Sequence, residues 1–129
     1  MRLLLDTHIL MWLVASDARL PPTLAAQLQA PENGLLVSAA SAWELSIKFH
    51  LGRLPSAAPL LDDFSGIAAR LGAGVLSITP AHAVQAGALD WGHRDPFDRV
   101  LVAQALAEGL RLVTLDGNIM SYPGAPILR

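Results

Sequence analysis

The chain alternates between short, unbroken apolar runs and longer stretches whose apolar residues recur every three to four positions. Four short runs read as strands: Arg2–Asp6, Gly34–Ser38, Gly74–Thr79 and Arg111–Asp116. They are continuous, not alternating, which suits strands covered on both faces, as in a parallel sheet. The stretches between them read as helices with recognisable start and stop residues. Thr7 is the expected N-cap of His8–Ala15. Pro22 sits near the start of a second helix ending about Ala30, and a third covers Ala39–Leu51 and stops at Gly52. Leu60–Leu71 stops at Gly72, Pro80 opens a short helix to about Ala88, and the last long helix begins at Pro96 and ends before Gly109. Pro55–Pro59 reads as a loop and Pro126–Leu128 as an edge strand. Strands alternating with helices predict an α/β fold, a three-layer α/β/α sandwich with a mostly parallel central sheet. No repeat, low-complexity tract or linker divides the chain, so residues 1–129 are expected to form one domain.

Composition adjusts this picture in four ways. The chain is 53% hydrophobic and only 16% charged. That surplus fits either a buried oligomer or partner surface or an Ala/Leu-rich core. There is no cysteine, which removes disulfides and thiolate metal sites. The net charge is −2, so the molecule as a whole is not a basic nucleic-acid binder; any such binding rests on a local patch or on metal ions. Aromatic residues are 5% of the chain, too few for an evident single-strand stacking platform. Asp6 and His8 interrupt the apolar N-terminal segment, and its longest unbroken run, Ile9–Ala15, is far short of a membrane span. A soluble, cytoplasmic protein with no membrane partner is expected.

The acids carry the candidate chemistry. Asp6 and Asp116 end strand runs, and in open parallel sheets ligands bind beyond the carboxyl ends of strands. For either residue alone, helix capping or a turn is the simpler explanation; only the two strand ends together bring a ligand site level with it. Glu44 lies in "SAASAWELSIKFH", beside a helical stripe of Ala40, Trp43, Ile47 and Leu51. An acid at the edge of a buried face needs a metal or a partner; Lys48, one turn on, is the alternative. In "HRDPFDRVL", Asp95 reads as the N-cap with Pro96 at the first helical position. Asp98 shares the core-facing stripe with Leu101, Val102, Ala105 and Leu106, which favours a functional role. Four carboxylates in one pocket would repel one another unless divalent cations compensate, and oxygen ligands select Mg²⁺ or Mn²⁺ over zinc. Such a site suits phosphodiester hydrolysis. His8 and His50 are lone histidines without metal spacing. Lys48, Arg53, Arg94 and Arg99 flank the acids and are candidates for phosphate binding or for ordinary surface balance.

The ordered set "LLLDTHILMWLV", "SAASAWELSIK", "HRDPFDRVLVAQA" and "RLVTLDGNI…YPG" resembles the PIN-domain family, specifically its VapC-type toxins, over about Arg2 to Gly124. Each motif is weak alone; their order is specific. The resemblance implies a Mg²⁺-dependent endoribonuclease acting on RNA, silenced by a small antitoxin and commonly a homodimer. It places the family's acids on Asp6, Glu44, Asp98 and Asp116, with Asp95 an accessory acid and Thr114 positioning a ligand or water. Asn118 stands where many members carry a further acid, which leaves one metal or a weaker second site. A PIN nuclease of RNA maturation would show the same chemistry. A catalytically silent PIN-like binding module is disfavoured because all four acids are present. A dehalogenase-type phosphatase would need Asp-x-Asp where Asp6 is followed by Thr7-His8, and a receiver domain would need lysine where "LVTLD" ends in an acid.

Overall fold

Leu3, Leu4 and Leu5 are all completely buried, which three consecutive strand residues achieve only when both faces of the strand are covered. In the computed structural model, which describes residues 1–129, this strand is β1 (Arg2–Leu5). It lies inside a parallel sheet with β2 (Gly34–Ser38), β3 (Ala73–Leu76) and β4 (Arg111–Val113), in the order β3-β2-β1-β4. Side-chain alternation divides the core in two. Leu3, Leu5, Leu35, Val37, Ala73 and Val113 face α1 (Thr7–Ala15), α2 (Pro22–Gln29), α3 (Ala39–His50), a 3₁₀ turn at Pro55–Ala57, α4 (Ala58–Asp62) and α5 (Phe64–Arg70). Leu4 and Leu112 face the other layer, which holds α6 (Pro80–Ala88), α7 (Pro96–Glu108) and α8 (Gly117–Met120) and contributes Leu101, Val102, Ala105 and Ile119. This is the expected three-layer sandwich. No helix is long and apolar enough to cross a membrane.

The strand order locates the functional edge. From β1 the chain steps outward through β2 to β3, then returns to place β4 on the opposite side of β1. The order therefore reverses between β1 and β4, and the crevice beyond their carboxyl ends is where such sheets bind ligands.

Three predicted strands are shorter than expected, for a common reason. Asp6, Thr79 and Asp116 do not extend the ladders; each becomes the N-cap of the following helix, α1, α6 and α8 respectively. Thr7, expected as a cap, is instead the first residue of α1. The single helix expected over Leu60–Leu71 is broken at Asp63, whose extended backbone (φ −153°) lets its side chain cap α5 through the Gly66 N–H at 3.1 Å. The Pro55–Pro59 loop is a 3₁₀ turn running into α4. Pro126–Leu128 makes one parallel bridge, Leu112 to Ile127, in place of a strand: Leu112 N–H donates to Pro126 O at 2.8 Å and Leu128 N–H to Leu112 O at 3.0 Å. Gly109, in the left-handed region at φ +65°, ends α7 where expected.

Two buried polar contacts hold the second layer in register. His82 is 1% exposed; its Nδ1 accepts from Thr79 N–H at 3.0 Å and its Nε2 lies 2.9 Å from Glu108 Oε1, tying α6 to α7. Ser38 and Gln104 are completely buried. Ser38 Oγ caps α3 through Ala40 N–H at 3.0 Å and donates to Gln104 Oε1 at 2.6 Å, while Gln104 Nε2 donates to Ser77 O at 3.3 Å. Removing one partner of a buried pair leaves the other desolvated and unpaired. Ser38→Ala is therefore expected to cost about 1–3 kcal/mol in urea unfolding, and adding Gln104→Leu should recover part of that loss.

Candidate functional site

Asp6 follows β1 directly and is 4% exposed. Its Oδ1 caps α1 by accepting Ile9 N–H at 2.9 Å, and its Oδ2 accepts the Thr114 hydroxyl. Thr114 Oγ1 in turn accepts Asp116 N–H at 3.0 Å, so one hydroxyl ties the ends of β1 and β4 together. Asp116 caps α8 with Oδ1, which accepts Asn118 N–H at 2.8 Å and Ile119 N–H at 3.3 Å. Its Oδ2 has no protein partner. Asp6 and Asp116 line one pocket of about 250 Å³ with His8, Ile9, Trp12 and Leu115. Capping and candidate chemistry, alternatives in the sequence, thus coincide in the same two residues. Burial pushes the Asp6 carboxyl above its ordinary value, against the hydrogen bonds from Thr114 and Ile9 and the charge of His8.

Glu44 is placed more deeply than the sequence suggests. The expected core stripe of α3 included Trp43, Ile47 and Leu51, but these are 54%, 38% and 59% exposed. The buried stripe is Ala40, Ser41, Glu44 and Leu45, so the acid sits within the buried face. Its Oε1 accepts the Thr7 hydroxyl at 2.6 Å and its Oε2 accepts Lys48 Nζ at 2.6 Å. Ser41 Oγ completes the group at 3.0 Å from Thr7 Oγ1. The one-turn pair with Lys48 therefore exists and is part of what makes a buried glutamate tolerable. A larger cavity of about 680 Å³ opens on this side, lined by Thr7, His8, Trp12, Lys48 and Arg53 among others.

Asp95 caps α7: its Oδ1 accepts Phe97 N–H at 2.9 Å and Asp98 N–H at 3.1 Å. Asp98 is half-buried, on the stripe that continues through Leu101, Val102 and Ala105; Leu106, expected on that stripe, is exposed. Its Oδ2 is 2.7 Å from His93 Nε2, and its Oδ1 has no protein partner. Burial, then repulsion from Asp95, Asp116 and Glu44, pushes the Asp98 carboxyl up to about 6, against the hydrogen bond from His93. Asp98 thus lies within the electrostatic reach of the acid that caps its own helix and of acids from two other segments, α3 and the end of β4, which links both sides of the crevice. His93, Asp95 and Asp98 each present one potential ligand atom within 4.8 Å of the others. Carboxylate oxygens beside a single imidazole, with several oxygens unpartnered and no lysine or arginine paired with Asp98, fit a hard divalent ion.

The basic candidates separate. Lys48 is tied to Glu44 but 38% exposed at its side chain, and Arg94 is exposed on the loop between His93 and Asp95. Arg99 is not available to a phosphate: all five of its N–H groups are donated to backbone carbonyls. His8 and His50 are exposed, His50 with a ring nitrogen 2.7 Å from Ser46 O. Three participants went unassigned in the sequence: His93, Thr7 and Ser41. His93 was detectable as the first residue of the "HRDPFDR" run. The Thr7–Ser41–Glu44 contact joins residues 34 and 37 positions apart and had no local signal.

Residues 3–124 match the PIN domain family model. The chain is 32% identical over 120 residues to ribonuclease VapC22 of Mycobacterium tuberculosis, an alignment covering 92% of this chain and 90% of that protein. Its fold is similar to that of VapBC2 from Rickettsia felis bound to a DNA fragment from their promoter, with a TM-score of 0.68, 17% identity, and 99% and 98% of the two chains covered. It is also similar to Mycobacterium tuberculosis VapC20, a toxin that cleaves the sarcin-ricin loop, with a TM-score of 0.63, 17% identity, and coverage of 98% and 99%.

The raised Asp98 carboxyl has a signed consequence for stability. Between its unfolded value near 3.8 and its folded value of about 6, the native state binds more protons than the unfolded state. Metal-free stability attributable to Asp98 therefore falls as pH rises through that window. Asp98→Asn is expected to flatten the decline, read as unfolding free energy against pH from 4 to 6.5 in the presence of chelator.

Proposed function

The chain belongs to the PIN-domain family, and on that footing we propose that it is an endoribonuclease. It hydrolyses RNA phosphodiester bonds using Mg²⁺ or Mn²⁺ held by Asp6, Glu44, Asp98 and Asp116, with Asp95 accessory. The observation that carries this reading is the crowding of Asp98 by Asp95, Asp116 and Glu44 at the β1/β4 reversal. A cation at that point relieves the repulsion. A bound divalent ion lowers the pKa of a coordinated water and neutralises phosphate charge, which also explains how a protein of net charge −2 can hold RNA.

The chain's own residues prepare the site. Thr114 fixes one oxygen of Asp6 and the backbone of Asp116, so the acids of β1 and β4 keep a constant spacing. Thr7 and Lys48 each bond one oxygen of Glu44 inside the protein and fix its orientation. Lys48, through its exposed portion, and Arg94 supply positive charge for the RNA backbone. Asn118 can offer a neutral oxygen where a further acid would strengthen a second metal position. The VapC identity of the relative, and neighbours that include a VapBC complex, support a cytoplasmic toxin with a small antitoxin as partner. The exposed Trp43–Ile47–Leu51 stripe supports a homodimer.

Purified protein is expected to cut structured RNA with Mg²⁺ or Mn²⁺ and to stop when EDTA is added. Asp6→Asn and Asp98→Asn should each lower the cleavage rate by at least about 10²-fold, since losing a ligand exceeds the loss of an outer hydrogen-bond partner; variants that cut like wild type would place the chemistry elsewhere. Asp95→Asn separates capping from ligation. Asparagine still caps a helix, so cleavage should be largely retained, and a loss equal to that of Asp98→Asn in a folded protein would move Asp95 into the metal shell.

A further inference from the structure

Arg99, on the first turn of α7, reaches back across a reversal of the chain. Its Nε donates to Ala86 O at 2.8 Å, Nη1 to Trp91 O at 2.6 Å and His93 O at 3.0 Å, and Nη2 to Gly87 O at 3.4 Å and Leu89 O at 2.7 Å. A guanidinium has five N–H groups in a rigid plane, and here each has its own carbonyl. Ala86, Gly87 and Leu89 belong to the end of α6 and its cap, where helix geometry leaves carbonyls unpaired. Trp91 and His93 belong to the turn that follows. The end of α6, the 89–93 turn and the start of α7 are therefore joined through one side chain.

That joined segment carries His93. Its ring lies 4.9 Å from the Trp91 ring, which stacks on Tyr122 at 4.8 Å and 12°. Its backbone carbonyl is held by Arg99. Its Nδ1 has no protein partner, and its Nε2 stands 2.7 Å from Asp98 Oδ2. Because an ionised carboxylate can only accept, the Nε2–H tautomer is the one this contact selects. The other Asp98 oxygen is left without a partner.

We infer that His93 is a positioning residue of the nuclease site: anchored by Arg99 and Trp91, it donates to one oxygen of Asp98 and thereby presents the other to the divalent ion. The inference rests on the reading of the acids as a metal site. Hydrogen bonds from outside the ligand set orient metal-binding carboxylates, and their loss typically weakens metal affinity about 10–100-fold. The competing role, in which His93 is itself a ligand, would direct the free lone pair of Nδ1 to the ion, or turn Nε2 from Asp98 to it.

Mn²⁺ titrations of the full chain, followed by the electron paramagnetic resonance of free Mn²⁺, separate these roles without recourse to cleavage. His93→Ala is expected to weaken Mn²⁺ binding about 10–100-fold, and His93→Gln, whose amide N–H can replace the donor, to recover most of that loss. Spin-echo spectra of Mn²⁺ on the wild-type protein should show no imidazole ¹⁴N coupling. Such a coupling, absent from His93→Gln and therefore not due to His8, overturns the inference even if His93→Ala fails to fold. Wild-type affinity in folded His93→Ala, or His93→Gln binding no better than His93→Ala, also overturns it, and leaves the acid site standing provided Asp98→Asn loses Mn²⁺. A wild-type protein that binds no Mn²⁺ defeats the metal reading and this inference together.

Discussion

A carboxylate at a helix N-terminus can give one oxygen to backbone N–H groups and keep the other for something else. Asp6, Asp95 and Asp116 all do this, at the starts of α1, α7 and α8. The helix dipole favours negative charge at each of these places by about 0.3–1 kcal/mol, which partly offsets the repulsion that crowding produces. The acids are therefore held by the same contacts that begin three helices. Displacing any of them disturbs a helix start as well as the site, so geometry there is governed by folding.

Glu44 is stabilised differently, because it lies inside a helix where no free N–H groups are available. Its partners come from side chains, Thr7 at the start of α1 and Lys48 one turn along α3. The orientation of α3 reflects this: an acid occupies the buried face while Trp43, Ile47 and Leu51 face outward. Trp43 still finds an aromatic neighbour, its ring lying edge-on to Phe97 at 4.9 Å. That contact brings α3 beside the first turn of α7, on which Asp98 is carried.

The parallel sheet and its flanking helices were legible because continuous apolar runs and Pro/Gly punctuation are local signals. The four acids of the proposed site stood out for a related reason: two end strand runs, one begins a helix, and one lies on a patterned helix. What escaped was long-range. The rotation of α3 depends on a hydroxyl of α1, so apolar periodicity by itself pointed to the wrong face. Arg99 looks like any cation beside an acidic motif, and only the path of the chain from Ala86 to His93 reveals five carbonyls within its reach. Strand ends were overestimated where a polar terminal residue serves equally well as a cap, as at Asp6, Thr79 and Asp116.

The bridge between Leu112 and Ile127 bears on how the sheet meets other chains. In the three-residue strand β4, Leu112 directs its N–H and C=O away from β1, and both are bonded to the 126–128 segment. That edge offers no backbone template for a foreign strand. The opposite edge is β3, which contains Gly74 and the half-exposed Val75 and has β2 on one side only. Edge-to-edge growth under unfolding stress is thereby directed to β3, at the far end of the sheet from the crevice between β1 and β4.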